Sequence, residues 1–120
     1  MNEIIANLSV KQLAGMIDHT FLKPFGTAEN IEKLCDEARK YEFAMVAINP
    51  AEVETCVKLL EGSPVRVGAA IGFPLGQTTT ECKAFETRDA IAKGAPEIDR
   101  VINVRGIQEG RREIGKKDNE

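Results

Sequence analysis

Phe43-Ala44-Met45-Val46-Ala47-Ile48-Asn49-Pro50 is the stretch that decides the fold class. Six apolar residues follow one another without polar alternation. Such a run suits a strand covered on both faces, which is the situation of a parallel sheet. Asn49 and Pro50 end it, Asn49 as a helix N-cap and Pro50 at the first helical position. A helix then turns Val53, Cys56, Val57 and Leu60 inward and stops at Gly62. A buried strand running straight into a helix is half of a β-α-β unit.

The same unit recurs on both sides. Upstream, Ser9-Val10-Lys11-Gln12 has the form of a capping box and opens a short helix with Val10, Leu13, Ala14 and Ile17 inward. Residues 17–22 read as a strand ended by Pro24 and Gly26. Thr27 caps a helix whose Ile31, Leu34, Cys35 and Ala38 recur at helical spacing. Downstream, residues 65–71 read as a third strand running into Gly72-Phe73-Pro74-Leu75-Gly76. A helix over 79–93 stops at Gly94. Its period is poor: Cys82, Phe85 and Ala92 share a side, and Arg88 and Asp89 interrupt it. Residues 98–104 read as a fourth strand, and 106–120 as a polar tail open to disorder.

Strands alternating with helices imply a parallel sheet with right-handed crossovers. No Gly-x-Gly-x-x-Gly follows any strand, which argues against a dinucleotide-binding fold. Strand starts lie roughly 22–33 residues apart, the spacing of a (β/α)8 TIM barrel. Four strands cannot close one. The expected architecture is therefore α/β: an N-terminal helix and about four βα units, with residues 1–120 forming the N-terminal half of a single barrel domain.

Bulk properties set limits on function. The chain has 120 residues, a net charge of −3, 42% hydrophobic and 29% charged residues. That balance suits a soluble globular protein and gives no reason to expect nucleic acid or membrane as a partner. No apolar run is long enough for a membrane span, and Met1–Val10 lacks a signal-peptide pattern, so a cytoplasmic location is expected. Cys35, Cys56 and Cys82 have no zinc spacing; they read as small core thiols in a reducing compartment, and no metal or cofactor is expected.

Function in a parallel sheet gathers at the C-terminal ends of the strands. The first strand carries Asp18, His19, Thr20 and then Lys23. Asp18 points inward or pairs with something; a structural strand-end carboxylate is the competing reading. Alternation sends His19 to the opposite face, toward the helices, for a packed and hydrogen-bonded role. Lys23 reads as a solvated loop lysine. Thr78, Thr79 and Thr80 lead into a helix N-terminus, either as an ordinary cap or as an anion site. Asp99 lies between apolar residues in a strand expected to be buried, so its carboxylate must be paired, hydrogen-bonded or set in a wet site. Asp18 and Asp99 could converge on one pocket beside a cation, either for proton transfer around a carbonyl or as a structural ion pair.

Three segments carry a resemblance: Ile17-Asp18-His19-Thr20-Phe21-Leu22-Lys23-Pro24, Ile71-Gly72-Phe73-Pro74-Leu75-Gly76 with Thr78-Thr79-Thr80-Glu81, and Glu97-Ile98-Asp99 with Val101-Ile102-Asn103. In that order they resemble the signature segments of the deoxyribose-phosphate aldolase family, without obvious gaps from about Val10 to about Asp118. The resemblance implies a class I aldolase of deoxyribonucleotide catabolism. Such an enzyme reversibly cleaves 2-deoxy-D-ribose 5-phosphate to acetaldehyde and D-glyceraldehyde 3-phosphate through a lysine Schiff base, without a metal. It implies that Asp99 relays protons, that Asp18 lines the site and meets its lysines, and that Thr20 forms pocket wall. The Schiff-base lysine, the lysine that tunes it and the phosphate-binding residues belong to later strands and match nothing here. Lys83 and Lys93 sit on the third main helix, too far round to substitute. Ala47 stands where some members carry a cysteine, Arg105 replaces a usual small residue, and Gly115 falls where a helix should continue.

Two functions follow as expectations. One is an aldolase half whose activity needs the second half. The other is a non-catalytic half-barrel that acts as a structural or assembly element. Either way the open first and fourth strands favour homo-oligomers or association through strand edges.

Overall fold

The computed structural model describes residues 3–120. Helices α1 (Glu3–Ala6) and α2 (Val10–Ala14) come first. Ser9 caps α2 by accepting from the Gln12 N–H, while the Gln12 side chain accepts from the Ser9 N–H. Then β1 (Asp18–Phe21), α3 (Ala28–Tyr41), β2 (Met45–Ile48), α4 (Val53–Leu59), β3 (Arg66–Ile71), α5 (Thr80–Ala92) and β4 (Glu97–Arg100) alternate. All neighbouring strands pair in parallel, in the order β1-β2-β3-β4.

The deciding stretch forms β2, whose four residues are all buried. The helix expected directly after Pro50 begins as a 3₁₀ turn, Pro50–Glu52, before α4 takes over. Helices α3, α4 and α5 pack on one face of the sheet. The core between them holds Ile31, Leu34, Cys35 and Ala38 of α3, Val53 and Cys56 of α4, and Val46, Ile48, Val67, Ala69 and Ile71 of the strands. Alternation along each strand puts the other residues on the opposite, inner face.

Several boundaries differ from expectation. Strand β4 stops at Arg100 rather than Val104. Asn103 there caps helix α6 (Val104–Gln108), its Oδ1 accepting from the Gly106 N–H at 2.9 Å. The polar segment 106–120 carries the rest of α6 and helix α7 (Arg112–Lys117). Helix α5 is turned from its expected face: Cys82 and Phe85 are exposed, and Lys83 and Ala90 are buried. On α2, Val10 and Leu13 are exposed rather than inward.

The molecule is an open layer. Its radius of gyration is 16.2 Å, with extents of 42 × 39 × 25 Å. A closed domain of this length would have a radius of about 13.6 Å. The outer edges of β1 and β4 have no strand beside them among the described residues. Apolar side chains where the chain leaves the sheet, including Leu75 at 70% and Ile102 at 43% exposure, face solvent.

Candidate active site

Asp18 opens β1 and Thr20 follows two residues on, so both project to the inner face. Thr20 stands level with Ala47 and Gly68, and Asp99 on β4 stands beside Ala70. The small Ala47 and Ala70 leave the floor between the two outer strands unfilled. A concavity of about 220 Å³ results, lined by Asp18, Thr20, Leu22, Ala47, Ala70 and Asp99 among others, with Phe73 at its upper rim. Below it the face is closed. The Met45 side chain lies over Gly68, where a Cβ would come within 2.8 Å of the methionine Cε. Arg66 pairs with Glu97 beside it.

The sequence therefore brings Asp18, Thr20 and Asp99 to one concavity. It does not bury them: all three are exposed on the open inner face. Asp99 was expected inside a covered strand, and the covering is absent because four strands make half a barrel wall. Thr20 turns its hydroxyl back to its own strand, donating to the Asp18 carbonyl at 2.8 Å. Neither carboxylate has a hydrogen-bond or ion-pair partner among the described residues. Partial burial, then the negative charges of Asp18 and Glu97, push the Asp99 carboxyl above its usual range. A carboxyl so placed can give and take a proton near a bound carbonyl.

No lysine lines this concavity. Lys93 pairs with Asp89 at 2.7 Å, and that carboxylate holds its ammonium more firmly protonated. Lys23 is exposed in the loop after β1. Lys83, on α5, is 1% exposed, with Nζ 2.5 Å from Asp118. Thr80 donates to the same carboxylate at 2.6 Å, and Arg100 donates to the Asp118 carbonyl and to Asn119. This cluster lies on the helix side of β4, because Arg100 alternates with Asp99. The sheet separates Lys83 from the two aspartates. His19 also faces the helices, with Nε2 2.7 Å from Glu37 and its ring 5.0 Å from that of Phe43.

The loop above the concavity is fixed by groups that sequence reading missed. Glu86 of α5 accepts from the Gly72 N–H at 2.8 Å, and the Gly76 N–H donates to the Gly72 carbonyl at 2.7 Å. Gly72 and Gly76 both have φ of +65°, and the Phe73–Pro74 peptide is cis. The interrupted stripe of α5 was the available signal, since polar residues facing inward break an apolar period. Thr79 caps α5 by accepting from the Cys82 N–H at 3.2 Å, the ordinary reading of the threonine run. No three His, Cys, Asp or Glu side chains gather as a metal site among the described residues, and no helix there is long and apolar enough to cross a membrane.

No protein-family model matches the chain. Individual relatives do. A deoxyribose-phosphate aldolase of Bacteroides thetaiotaomicron is 84% identical over 118 residues, 98% of this chain and 50% of the relative. One of Clostridium perfringens is 57% identical over 108 residues, 90% of this chain and 48% of the relative. The chain belongs to the deoxyribose-phosphate aldolase family. It matches the family's N-terminal half and spans about half the length of the curated relatives. Family structures agree. A crystal structure of such an aldolase from Coccidioides immitis superimposes with a TM-score of 0.89 at 37% identity, over 92% of this chain and 44% of that one. The tetrameric deoxyribose-phosphate aldolase of Aeropyrum pernix gives 0.75 at 30% identity, over 92% and 50%. The four strands are the front half of a family TIM barrel.

Proposed function

We propose that this chain supplies the proton-handling wall of a class I aldolase that reversibly cleaves 2-deoxy-D-ribose 5-phosphate to acetaldehyde and D-glyceraldehyde 3-phosphate. A lysine Schiff base on the complementary half-barrel would carry the covalent step, with no cofactor on this chain. Asp99 relays protons at the Schiff-base carbon, Asp18 holds the lysine's charge, and Thr20 shapes the pocket wall. A cytoplasmic place in deoxyribonucleotide and carbohydrate breakdown goes with that reaction.

One observation carries the reading. Asp18 and Asp99 face a single concavity with no lysine in it, and Arg100, which also lines it, turns its guanidinium away to Asp118 and Asn119. Two unpaired carboxylates are costly once covered, so whatever completes the wall must bring positive charge. The same observation bears on the non-catalytic reading: with no lysine in the concavity, the chain alone has the place for a carbonyl substrate but no nucleophile. Alone it is an inactive half, and its open edges join either a complementary half-barrel or further copies of itself.

The test is Asp99→Asn in a barrel completed with the C-terminal half of the Bacteroides thetaiotaomicron relative. Loss of a general acid–base group slows turnover by about 10²–10⁴. Folding, read by circular dichroism, should be unaffected. Near-normal turnover of the variant would remove Asp99 from the mechanism.

A further inference from the structure

The loop between β3 and α5 leaves the sheet over the proposed site, and a side chain of α5 holds the point of departure. Strand β3 ends at Ile71, whose carbonyl accepts from the Val101 N–H at 2.9 Å. At Gly72 the backbone turns into the left-handed region, with φ of +65°. Both peptide groups of Gly72 are taken. Its N–H donates to the Glu86 carboxylate at 2.8 Å, and its carbonyl accepts from the Gly76 N–H at 2.7 Å. Phe73 is the next residue and stands at the rim of the concavity that holds Asp18, Thr20 and Asp99.

Glu86 is an uncommon residue type for its place. It sits one turn after the buried Lys83 on α5 and is itself half-buried. Its carboxylate has no hydrogen-bond or ion-pair partner besides the Gly72 N–H among the described residues. Shielding a carboxylate from water is costly, and one charge-assisted bond to a backbone N–H offsets only part of that. An apolar side chain would pack there without the cost.

The glycine gives the bond its leverage. Gly72 has access to more of φ and ψ than any other residue type, so its own backbone does not fix where Phe73 points. The far end of the loop is set by packing, since Gly76 is buried against the Ile102 carbonyl. At the near end the Lys83 stem bounds the space, 3.2 Å from where a Gly72 Cβ would stand. The bond to Glu86 supplies the direction.

We propose that Glu86 is a positioning residue of the site: by holding the Gly72 N–H it sets the Phe73 ring over the concavity as the cover against which substrate binds. The inference rests on the aldolase reading. Glu86 belongs to the helix layer and touches no reacting atom; it acts through one peptide group. Phe73 stands at the rim, so its contact is made alike in the ground state and the transition state. Loss of such a contact is read in KM rather than in kcat.

Two variants test this. Glu86→Gln keeps an acceptor oxygen for the Gly72 N–H, and Glu86→Leu removes it at similar bulk. In the chain itself, amide exchange at Gly72, followed by NMR, should be about 10–100-fold faster in the leucine variant than in the parent, with Val101 unchanged. In the barrel completed with the C-terminal half of the Bacteroides thetaiotaomicron relative, Glu86→Leu should raise KM for deoxyribose 5-phosphate about tenfold or more, the scale of a lost apolar contact in a pocket, with little change in kcat. Glu86→Gln should restore both the Gly72 protection and the KM. Unchanged Gly72 exchange in the leucine variant would overturn the proposal, because the bond would then not hold the loop. Faster exchange with an unchanged KM would overturn it too, because the loop would then not serve substrate. A glutamine variant as impaired as the leucine one would assign the effect to charge instead of to the acceptor. A completed parent barrel without turnover would remove the aldolase reading and the substrate role with it, while exchange at Gly72 still decides whether Glu86 holds the loop.

Discussion

At the scale of single residues, the loop over the concavity is the most sharply constrained. A Cβ at Gly76 would lie 2.1 Å from the Ile102 carbonyl oxygen, and the residue has φ of +65°. The loop cannot shift freely, because Gly72 is held by Glu86. Gly76→Ala should therefore lower stability by about 2 kcal/mol or more, from overpacking and the left-handed backbone together. The urea midpoint at constant slope measures it. Asp99 gives a prediction in pH. Its carboxyl is pushed up in the folded chain, so the folded state holds that proton more tightly than the unfolded chain does. Asp99's contribution therefore falls as pH rises from the ordinary aspartate pKa through the raised folded one, and the loss is complete above it. Asp99→Asn removes that slope and should leave the isolated chain at least as stable near neutrality, as urea midpoints across pH would show. Both glycines and both aspartates stand out in sequence because their types are unusual for their positions. Lys83 does not. It looks like any helix lysine, and its partner Asp118 lies 35 residues away, a separation no periodicity encodes.

At the scale of elements, the buried Lys83–Asp118 pair ties α5 to the end of α7. Burial opposes charge on Asp118, but hydrogen bonds from Lys83 and Thr80 outweigh it and hold the carboxyl below its usual range. The pair's stabilisation is present at neutral pH and is lost as pH falls from the ordinary aspartate pKa through that lowered value. Asp118→Ala strands a buried ammonium, and such losses reach about 3–5 kcal/mol unless α7 detaches and Lys83 escapes to water. The double change Lys83→Met with Asp118→Leu should recover most of that loss. Thermal unfolding of the single and double variants checks both. The same pair explains what sequence reading missed in α5. An apolar stripe predicts the inward face only when apolar residues face inward; here Lys83 and Glu86 do so, each satisfied by a group from another element. Helix α3 reads clearly, because Ile31, Leu34, Cys35 and Ala38 meet the sheet as their spacing requires. Strand β4 reads too long because Val101 and Ile102 look like strand residues, while the cap made by Asn103 depends on the chain turning there.

At the scale of the whole molecule, an open four-stranded wall explains both what the chain can do and what it lacks. Its parallel rhythm was legible because βα units are local; the exposure of Asp18 and Asp99 was not, because it depends on what lies against the inner face of the four strands described. Unpaired edges on β1 and β4 and apolar side chains at the strand ends favour association. Sedimentation of the chain alone should show dimers or larger species at micromolar concentration, and a compact stable monomer would count against that. The central claim is that this wall handles protons for a nucleophile held elsewhere. Borohydride trapping tests it most directly. The purified chain is incubated with deoxyribose 5-phosphate and reduced, first alone and then with the C-terminal half of the Bacteroides thetaiotaomicron relative, and adducts are mapped by mass spectrometry. No dominant adduct and no turnover are expected from the chain alone, and with the added half an adduct confined to that half together with retro-aldol turnover. A single labelled lysine on this chain, with turnover in the absence of the other half, would contradict it.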